Sequence, residues 1–327
     1  MSRGTAHGKA FEYACLISLK EFIDQHSESE LSASINKSSA VENAQRDFES
    51  LKEEHGNLVR AAGTALAEVL VKTEPRLIYR TKGLHDKVDL SIQPDGAGMR
   101  GDVRDILAVR IASQTDQDWA IGISCKHNHD AVKHPRISPS INIGKQWLGY
   151  SCDYQYWNDI RPVFEEIQPC VHERRLWRDV DWKEERVYVP LLTAVRDQIK
   201  RIYDSNGKAP VANLLHYLIG KNDFYKAIVR SKNRILEVQG FNINGTLGLP
   251  ALKKNPVIKV SQLALPSRLY GIHFVEGSSN TIRLVMDQGW QISMRIHSAS
   301  KLVENSLKMD IRLEGIPTHI FTQTEGF

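Results

Sequence analysis

Asp105 and Lys126 are the residues around which chemistry is most readily built. A carboxylate can hold a divalent cation against an anionic phosphate, where the cation acidifies its bound water and takes up charge on the oxygens. Oxygen ligands suit Mg2+. A lysine alongside adds a compact positive charge and can orient or deprotonate the attacking water. The main-chain carbonyl of Cys125, next to Lys126, offers a further metal ligand without using a side chain. Residues of these types suit metal-assisted hydrolysis of a phosphodiester.

Two strands must bring the pair together. Residues 105–111 and 119–126 are rich in β-formers and flank a polar turn at 112–118, which predicts a hairpin. A symmetric hairpin sets Asp105 opposite Lys126 and Leu107 opposite Ser124. Side chains alternate along a strand, so Ser124 and Lys126 share a face, and a slip of one residue would turn that face over. An acid and a lysine on neighbouring strands also describe an ordinary surface ion pair; spacing alone does not separate the two, and the surrounding sequence must.

The sequence that follows is basic. Between Ile121 and Tyr150 stand Lys126, Lys133, Arg136 and Lys145 against the single acid Asp130, with His127, His129 and His134 among them. Such a stripe is what a phosphate-binding surface requires, although a solvated face has the same composition.

The Asp105…Lys126 arrangement resembles the PD-(D/E)xK nuclease motif, with two departures. Arg104 stands where proline precedes the aspartate, and Ser124 stands where the second half carries an acid. Asp102 is one replacement for the missing carboxylate. Glu12, on an N-terminal helix where this superfamily often supplies an acid, is another. The run Lys126-His127-Asn128-His129-Asp130-Ala131-Val132-Lys133-His134-Pro135-Arg136 closely resembles the K-H-N-H-x-A-V-K-H-x-R run of the HaeIII-type restriction endonucleases. Residues 101–106, Phe11-Glu12-Tyr13 and the block from Gly289 to Lys308 resemble that family's other segments, in order and over nearly the whole chain.

The resemblance implies a type II enzyme that binds double-stranded DNA at GGCC and cuts between the central G and C to leave blunt ends. It implies an α+β core of the restriction-endonuclease kind, a mixed sheet flanked by helices, with additional helical and C-terminal β elements. Mg2+ is the implied cofactor, with Asp105, Asp102 and Cys125 as ligands and Asp105, Lys126, Ser124 and Glu12 as the catalytic set. Guanine presents O6 and N7 acceptors that Arg or Lys can read bidentately. Lys133, Arg136, Arg283, Arg295 and Lys301 are candidates for that task or for phosphate contacts; His127, His129, His134 and His297 complete the DNA-binding set. A palindromic site suits a homodimer, and a monomer nicking each strand in turn also satisfies it. A methyltransferase protecting the same sequence is the implied companion in the host.

Other readings were weighed on the same residues. Adjacent His127-Asn128-His129 is not an HNH nuclease motif, whose ligands converge from separate elements. A DNA-binding protein without catalysis is compatible with Ser124, and a PD-(D/E)xK repair nuclease acting on DNA structure is compatible with Asp105 and Lys126. The 327 residues include 41% hydrophobic and 25% charged, the balance of a folded soluble chain. No stretch approaches the roughly 20 apolar residues that span a bilayer, and the N-terminus lacks a secretory apolar core, so a cytoplasmic location is expected. Cys15, Cys125, Cys152 and Cys170 form no C-x-x-C pair, which argues against structural zinc.

Along the chain, helices are expected at 8–25 and 41–72, the latter ended by Pro75 and interrupted at Gly56 or Gly63, with a loop at 26–39. Strands are expected at 77–79 and 88–92, the second closed by a turn at 94–96. Helices follow at 190–203 and 210–231, then strands at 235–238, 257–260, 281–286 and 290–296, with a last strand at 309–313. The domain reading is a nuclease core over 1–205 and a DNA-gripping region over 206–327, or one domain throughout.

Overall fold

The strand that carries Ser124 and Lys126 lies at the centre of a seven-stranded sheet. The structure, a computed structural model, describes residues 3–28, 30–94, 96, 101–113, 117–128, 131–297 and 301–327. Parts of the turns expected at 94–96 and 112–118 and of the loop at 26–39, and all of His129, lie outside the described residues. The strands, in chain order, are β1 (Ser32–Ile35), β2 (Lys87–Ile92), β3 (Ile106–Arg110), β4 (Trp119–His127), β5 (Ala131–Lys133), β6 (Arg136–Ile137), β7 (Phe224–Arg230), β8 (Ile235–Phe241), β9 (Leu269–Phe274), β10 (Thr281–Met286), β11 (Gln291–His297), β12 (Leu307–Gly315) and β13 (Phe321–Gly326). The longer helices are α1 (Arg3–His26), α2 (Ser39–Glu49), α3 (Glu53–Thr73), α4 (Tyr154–His172), α5 (Val189–Asn206) and α6 (Ala209–Ile219). No helix among the described residues is long and apolar enough to cross a membrane.

The chain divides into two units, each assembled from separate segments. One comprises 1–129, 221–263 and 319–327; the other comprises 130–220 and 264–318. Both draw chain from either side of residue 205, so a linear division there describes neither unit.

The first unit is the α+β core expected: a mixed sheet in the order β1-β2-β3-β4-β7-β8-β13, flanked by helices. β1 runs parallel to β2, β4 runs parallel to β7, and the remaining neighbours are antiparallel. Phe11, Cys15, Leu19 and Ile23, spaced for one helix face, are buried with Ile106, Ala108, Ile121 and Ile123 of the sheet in a single core. Gly63 of α3 faces the α1 backbone, where a Cβ would lie 2.7 Å from the Ala14 carbonyl oxygen, so only glycine permits this close approach. The Arg110 side chain is fully buried and donates to the carbonyls of Arg76, Tyr79 and His85 and to Asp86.

In the second unit, β5, β12, β11, β10 and β9 form a sheet in that order, with β6 also paired to β12. Along β10, β11 and β12, Ile282, Leu284, Met286, Ile292, Met294, Ile296, Leu307, Met309 and Ile311 alternate inward, and Arg283, Arg295, Lys308, Asp310 and Arg312 lie on the other face.

Several expectations are corrected by local physics. The loop at 26–39 contains β1, whose Ala33 N–H donates to Asp24. The helix at 41–72 is two helices, broken at 50–52 rather than at a glycine; the Ser50 N–H closes the first on Arg46. Residues 75–77 are a 3-10 turn, not the start of a strand, because the Arg110 guanidinium gathers the neighbouring carbonyls. The helix from 210 stops at Ile219, with Gly220 at φ +84°, and 224–230 is a strand buried on both faces, a pattern that periodicity cannot distinguish from helix. Residues 257–260 join no strand. β9 and β13 were not anticipated, and β13 rather than β12 is the last strand.

Candidate active site

Asp105 stands one residue ahead of β3, where its N–H donates to the Ile123 carbonyl at 2.8 Å and its carbonyl accepts from Gln93 N–H at 2.8 Å. Ile106 pairs with Ile123 and Leu107 with Gly122, so Asp105 falls opposite Ser124 rather than opposite Lys126. The observed pairing differs from the symmetric hairpin by two residues. A shift of two preserves the pleat, which keeps Asp105 on the face that Ser124 and Lys126 share. The cause is unequal strand length: β4 has nine residues and β3 five, and Trp119 already pairs with Arg110, so β4 overhangs where Asp105 begins.

That overhang creates the site. Asp105 Oδ2 accepts from Cys125 N–H at 2.7 Å and from Ser124 Oγ at 3.3 Å, and Lys126 Nζ stands 3.5 Å from it. Asp105 Oδ1 makes no hydrogen bond among the described residues. The Cys125 N–H points to the β3 side of the strand, so its carbonyl does too, because both backbone groups of an extended residue face one edge. The Cys125 thiol is buried against Cys15, which holds its pKa well above the usual range.

Glu12 enters from α1. It is 6% exposed, and Lys9 Nζ donates to its Oε2 at 3.0 Å. Its pKa is raised from 4.5 to about 7, chiefly by burial and then by the negative charge of Asp105, with Lys9 and Lys126 pulling the other way. Two carboxylates that oppose each other's ionisation are what a divalent cation relieves. Among the described residues no group of three or more His, Cys, Asp and Glu is placed to hold a metal ion by itself. Mg2+ does not need one: it takes one or two carboxylates and completes its shell with water and phosphate oxygens. Glu12, Asp105 with its free Oδ1, and the Cys125 carbonyl are a donor set that fits.

Asp102 is engaged elsewhere. Arg104 grips it with Nε at 2.8 Å, Nη2 at 2.7 Å and its own N–H at 3.1 Å, which holds the Asp102 pKa below its ordinary value against the effect of burial. The Arg104 side chain lies across Gly122, where an added Cβ would stand 2.0 Å from Cδ.

Three features of this region escaped sequence reasoning. His127, held to Ser231 Oγ through Nε2 at 3.0 Å, meets His7 of α1 edge-on at 5.5 Å between ring centroids, and His7 stacks on His55 of α3 at 5.6 Å. Buried Lys226 of β7 is paired in register with Ser124 and so shares its face. These residues are far apart in sequence, and only the helix crossing and the parallel β4–β7 pairing unite them.

The remaining DNA-binding candidates lie in the second unit, and their surroundings differ. Lys133 donates to the Tyr217 carbonyl at 2.9 Å and sits 3.8 Å over that ring, and burial lowers its pKa. It is committed to the fold. Arg136 reaches Glu304 and the Ser306 carbonyl, and Arg283 is held by Glu314 at 2.6 Å. His134 Nδ1 stands 3.4 Å from Asp310. Burial, with Lys308 and Arg295 nearby, lowers the His297 pKa. Arg295 and Lys301 are exposed, and neither side chain has a hydrogen bond or ion pair among the described residues.

The chain matches the model of the HaeIII restriction endonuclease family over residues 8–317. It is 33% identical over 319 residues to the type II restriction enzyme HaeIII of Haemophilus aegyptius, covering 98% of this chain and 96% of that protein. No solved structure matches.

Proposed function

The chain belongs to the HaeIII restriction endonuclease family and is a DNA-cleaving restriction endonuclease, and from that premise we propose that it cuts duplex DNA at GGCC, leaving blunt ends, with Mg2+ as cofactor. The observation that carries the catalytic part is the overhang of β4 past β3, which gathers Asp105, Ser124 and Lys126 on one face with Glu12 against them.

Asp105 and the Cys125 carbonyl would hold the cation, and Glu12 rather than Asp102 would supply the second carboxylate, since Arg104 already occupies both Asp102 oxygens. When bound, the cation supplies charge neutralisation at the phosphate and a more acidic water. Lys126 orients that water and stabilises charge on the phosphate oxygens. Ser124, in the place of the usual acid, is a positioning residue: its hydroxyl donates to Asp105 Oδ2 and turns Oδ1 outward. His127 and His129 in the first unit, and His134, Arg136, Arg283, Arg295, His297 and Lys301 in the second, are the candidate DNA-binding residues. A homodimer matches the palindrome, and a methyltransferase of the same specificity is the companion.

Cleavage of a sequenced DNA with Mg2+, an EDTA control and sequencing of the fragment ends tests this reading. Blunt ends within GGCC are expected. Tight, sequence-specific binding with no cleavage would favour a DNA-binding protein that has lost catalysis with the acid at position 124.

A further inference from the structure

On the outward face of the second sheet, β11 and β12 set two short rows side by side. Arg295 pairs with Asp310, Ser293 with Arg312 and His297 with Lys308. Residues opposite one another on an antiparallel pair point the same way, so these six side chains form one patch. The opposite face of the same strands is uniformly apolar and buried. Sequence reasoning identified the β11 row alone; the β12 row becomes visible only through the register.

The patch has one acid, and that acid is engaged inward. Asp310 Oδ2 accepts from Arg312 Nε at 3.0 Å and stands 3.0 Å from Arg312 Nη2. Asp310 Oδ1 is buried and makes no hydrogen bond, with His134 Nδ1 at 3.4 Å. The Asp310 side chain is 12% exposed, whereas the Arg312 side chain is 56% exposed. The carboxylate grips the Nε–Nη2 edge of the guanidinium and leaves Nη1 outside this pair. Arg295, one strand away, has no such anchor. Two neighbouring arginines therefore differ in preorganisation: Arg312 is fixed and Arg295 is free to swing.

This difference matters because the two tasks of arginine on DNA have different demands. A phosphate contact tolerates a mobile cation, whereas bidentate recognition of guanine O6 and N7 requires a planar fork held in a set direction. We infer that the Arg295–His297 and Arg312–Asp310–Lys308 patch, with buried Ser293 beneath it, is a duplex-reading surface in which Arg312, positioned by Asp310, recognises a guanine edge while Arg295 contacts phosphate. The inference rests on the family's action on DNA and deepens it by assigning the guanine reader. It does not depend on which sequence contains that guanine.

Selection from a random duplex library tests it, using the full chain with Ca2+ in place of Mg2+ and independently of any digest. The wild-type protein is expected to enrich a motif. Arg312→Ala is expected to lose a guanine at one position of each half-site and keep the rest. Affinity for the selected duplex should fall about 5- to 150-fold, the range of one bidentate base contact, while affinity for unrelated duplex stays within about twofold, as expected when phosphate contacts are untouched. Asp310→Asn should weaken the same guanine preference to a smaller degree, a readout that a purely structural role would not move. Arg295→Ala should weaken both duplexes alike. The inference is overturned if Arg312→Ala enriches the wild-type motif or weakens all duplexes equally, or if the wild-type protein enriches no motif. A wild-type motif other than GGCC would remove the proposed specificity and leave the Arg312 assignment standing.

Discussion

The Asp105 carboxylate accepts a 2.7 Å hydrogen bond from the backbone N–H of Cys125, the residue between Ser124 and Lys126. One strand end thereby fixes the acid that the adjacent strand's lysine must serve. The bond exists because β4 continues past the point where β3 begins, leaving the Cys125 N–H without a ladder partner on that side. The consequences can be measured.

Removal of either charged partner separates catalysis from binding. Asp105→Asn keeps the shape and loses the metal-holding charge; Lys126→Ala loses the cation beside the water. Each is expected to lower cleavage by at least about 100-fold, the scale of a lost catalytic group. DNA affinity measured with Ca2+ should remain within an order of magnitude of wild type. Normal cleavage by either variant would refute the assignment.

Glu12 couples activity to stability. In the folded chain it holds a proton up to about pH 7, whereas its ordinary pKa is 4.5. Between those values the folded state binds more protons than the unfolded state, so stability falls as pH rises through that window and levels off above it. Buried Glu74, also raised to about 7 by its burial, acts with the same sign. Glu12→Gln should therefore melt higher than wild type at pH 8, by an amount on the order of 1–3 kcal/mol, and should lose less stability between pH 5 and 8. It should cleave poorly. Identical pH slopes for the two proteins would show that Glu12 is not the strained acid described.

Ser124→Ala separates positioning from catalysis. The serine hydroxyl is the longer of two hydrogen bonds to Asp105 Oδ2, at 3.3 Å against 2.7 Å from Cys125 N–H. Its loss should cost about 0.5–1.5 kcal/mol and leave cleavage within about tenfold of wild type. A loss as deep as that of Asp105→Asn would mean that the hydroxyl acts on substrate or metal directly.

Gly122→Ala probes the Arg104–Asp102 pair. The new methyl would overlap the Arg104 side chain at Cγ and Cδ, so the arginine must leave its place over the strand. A destabilisation of about 1–3 kcal/mol is expected from overpacking, together with release of Asp102 to a higher pKa. An unchanged melting temperature would show that Arg104 does not occupy this place in solution.

Much of the site was legible in sequence, for a specific reason. Ser124 and Lys126 share a face in any register, and because side chains alternate, a pairing that differs by two residues still sets Asp105 on that same face. What sequence could not supply was the overhang itself, which depends on where β3 starts. Asp102 and Asp105 are equally acidic on paper; the guanidinium of Arg104 distinguishes them in three dimensions. The same limit applies to the fold. The periodic helices α1 and α5 were evident, whereas β7, buried on both faces, read as helix and the short β1 as loop. His7, His55 and Lys226 each depend on partners distant in sequence, and no local pattern marks them.

The central claim is that Asp105, Glu12 and Lys126 form a cation-dependent site for cutting DNA, and a digest of fully sequenced phage DNA by the purified protein tests it most directly. Discrete fragments with blunt ends inside GGCC, abolished by EDTA and by Asp105→Asn, are the predicted result. Cleavage that persists in EDTA or in the Asp105→Asn protein would contradict it.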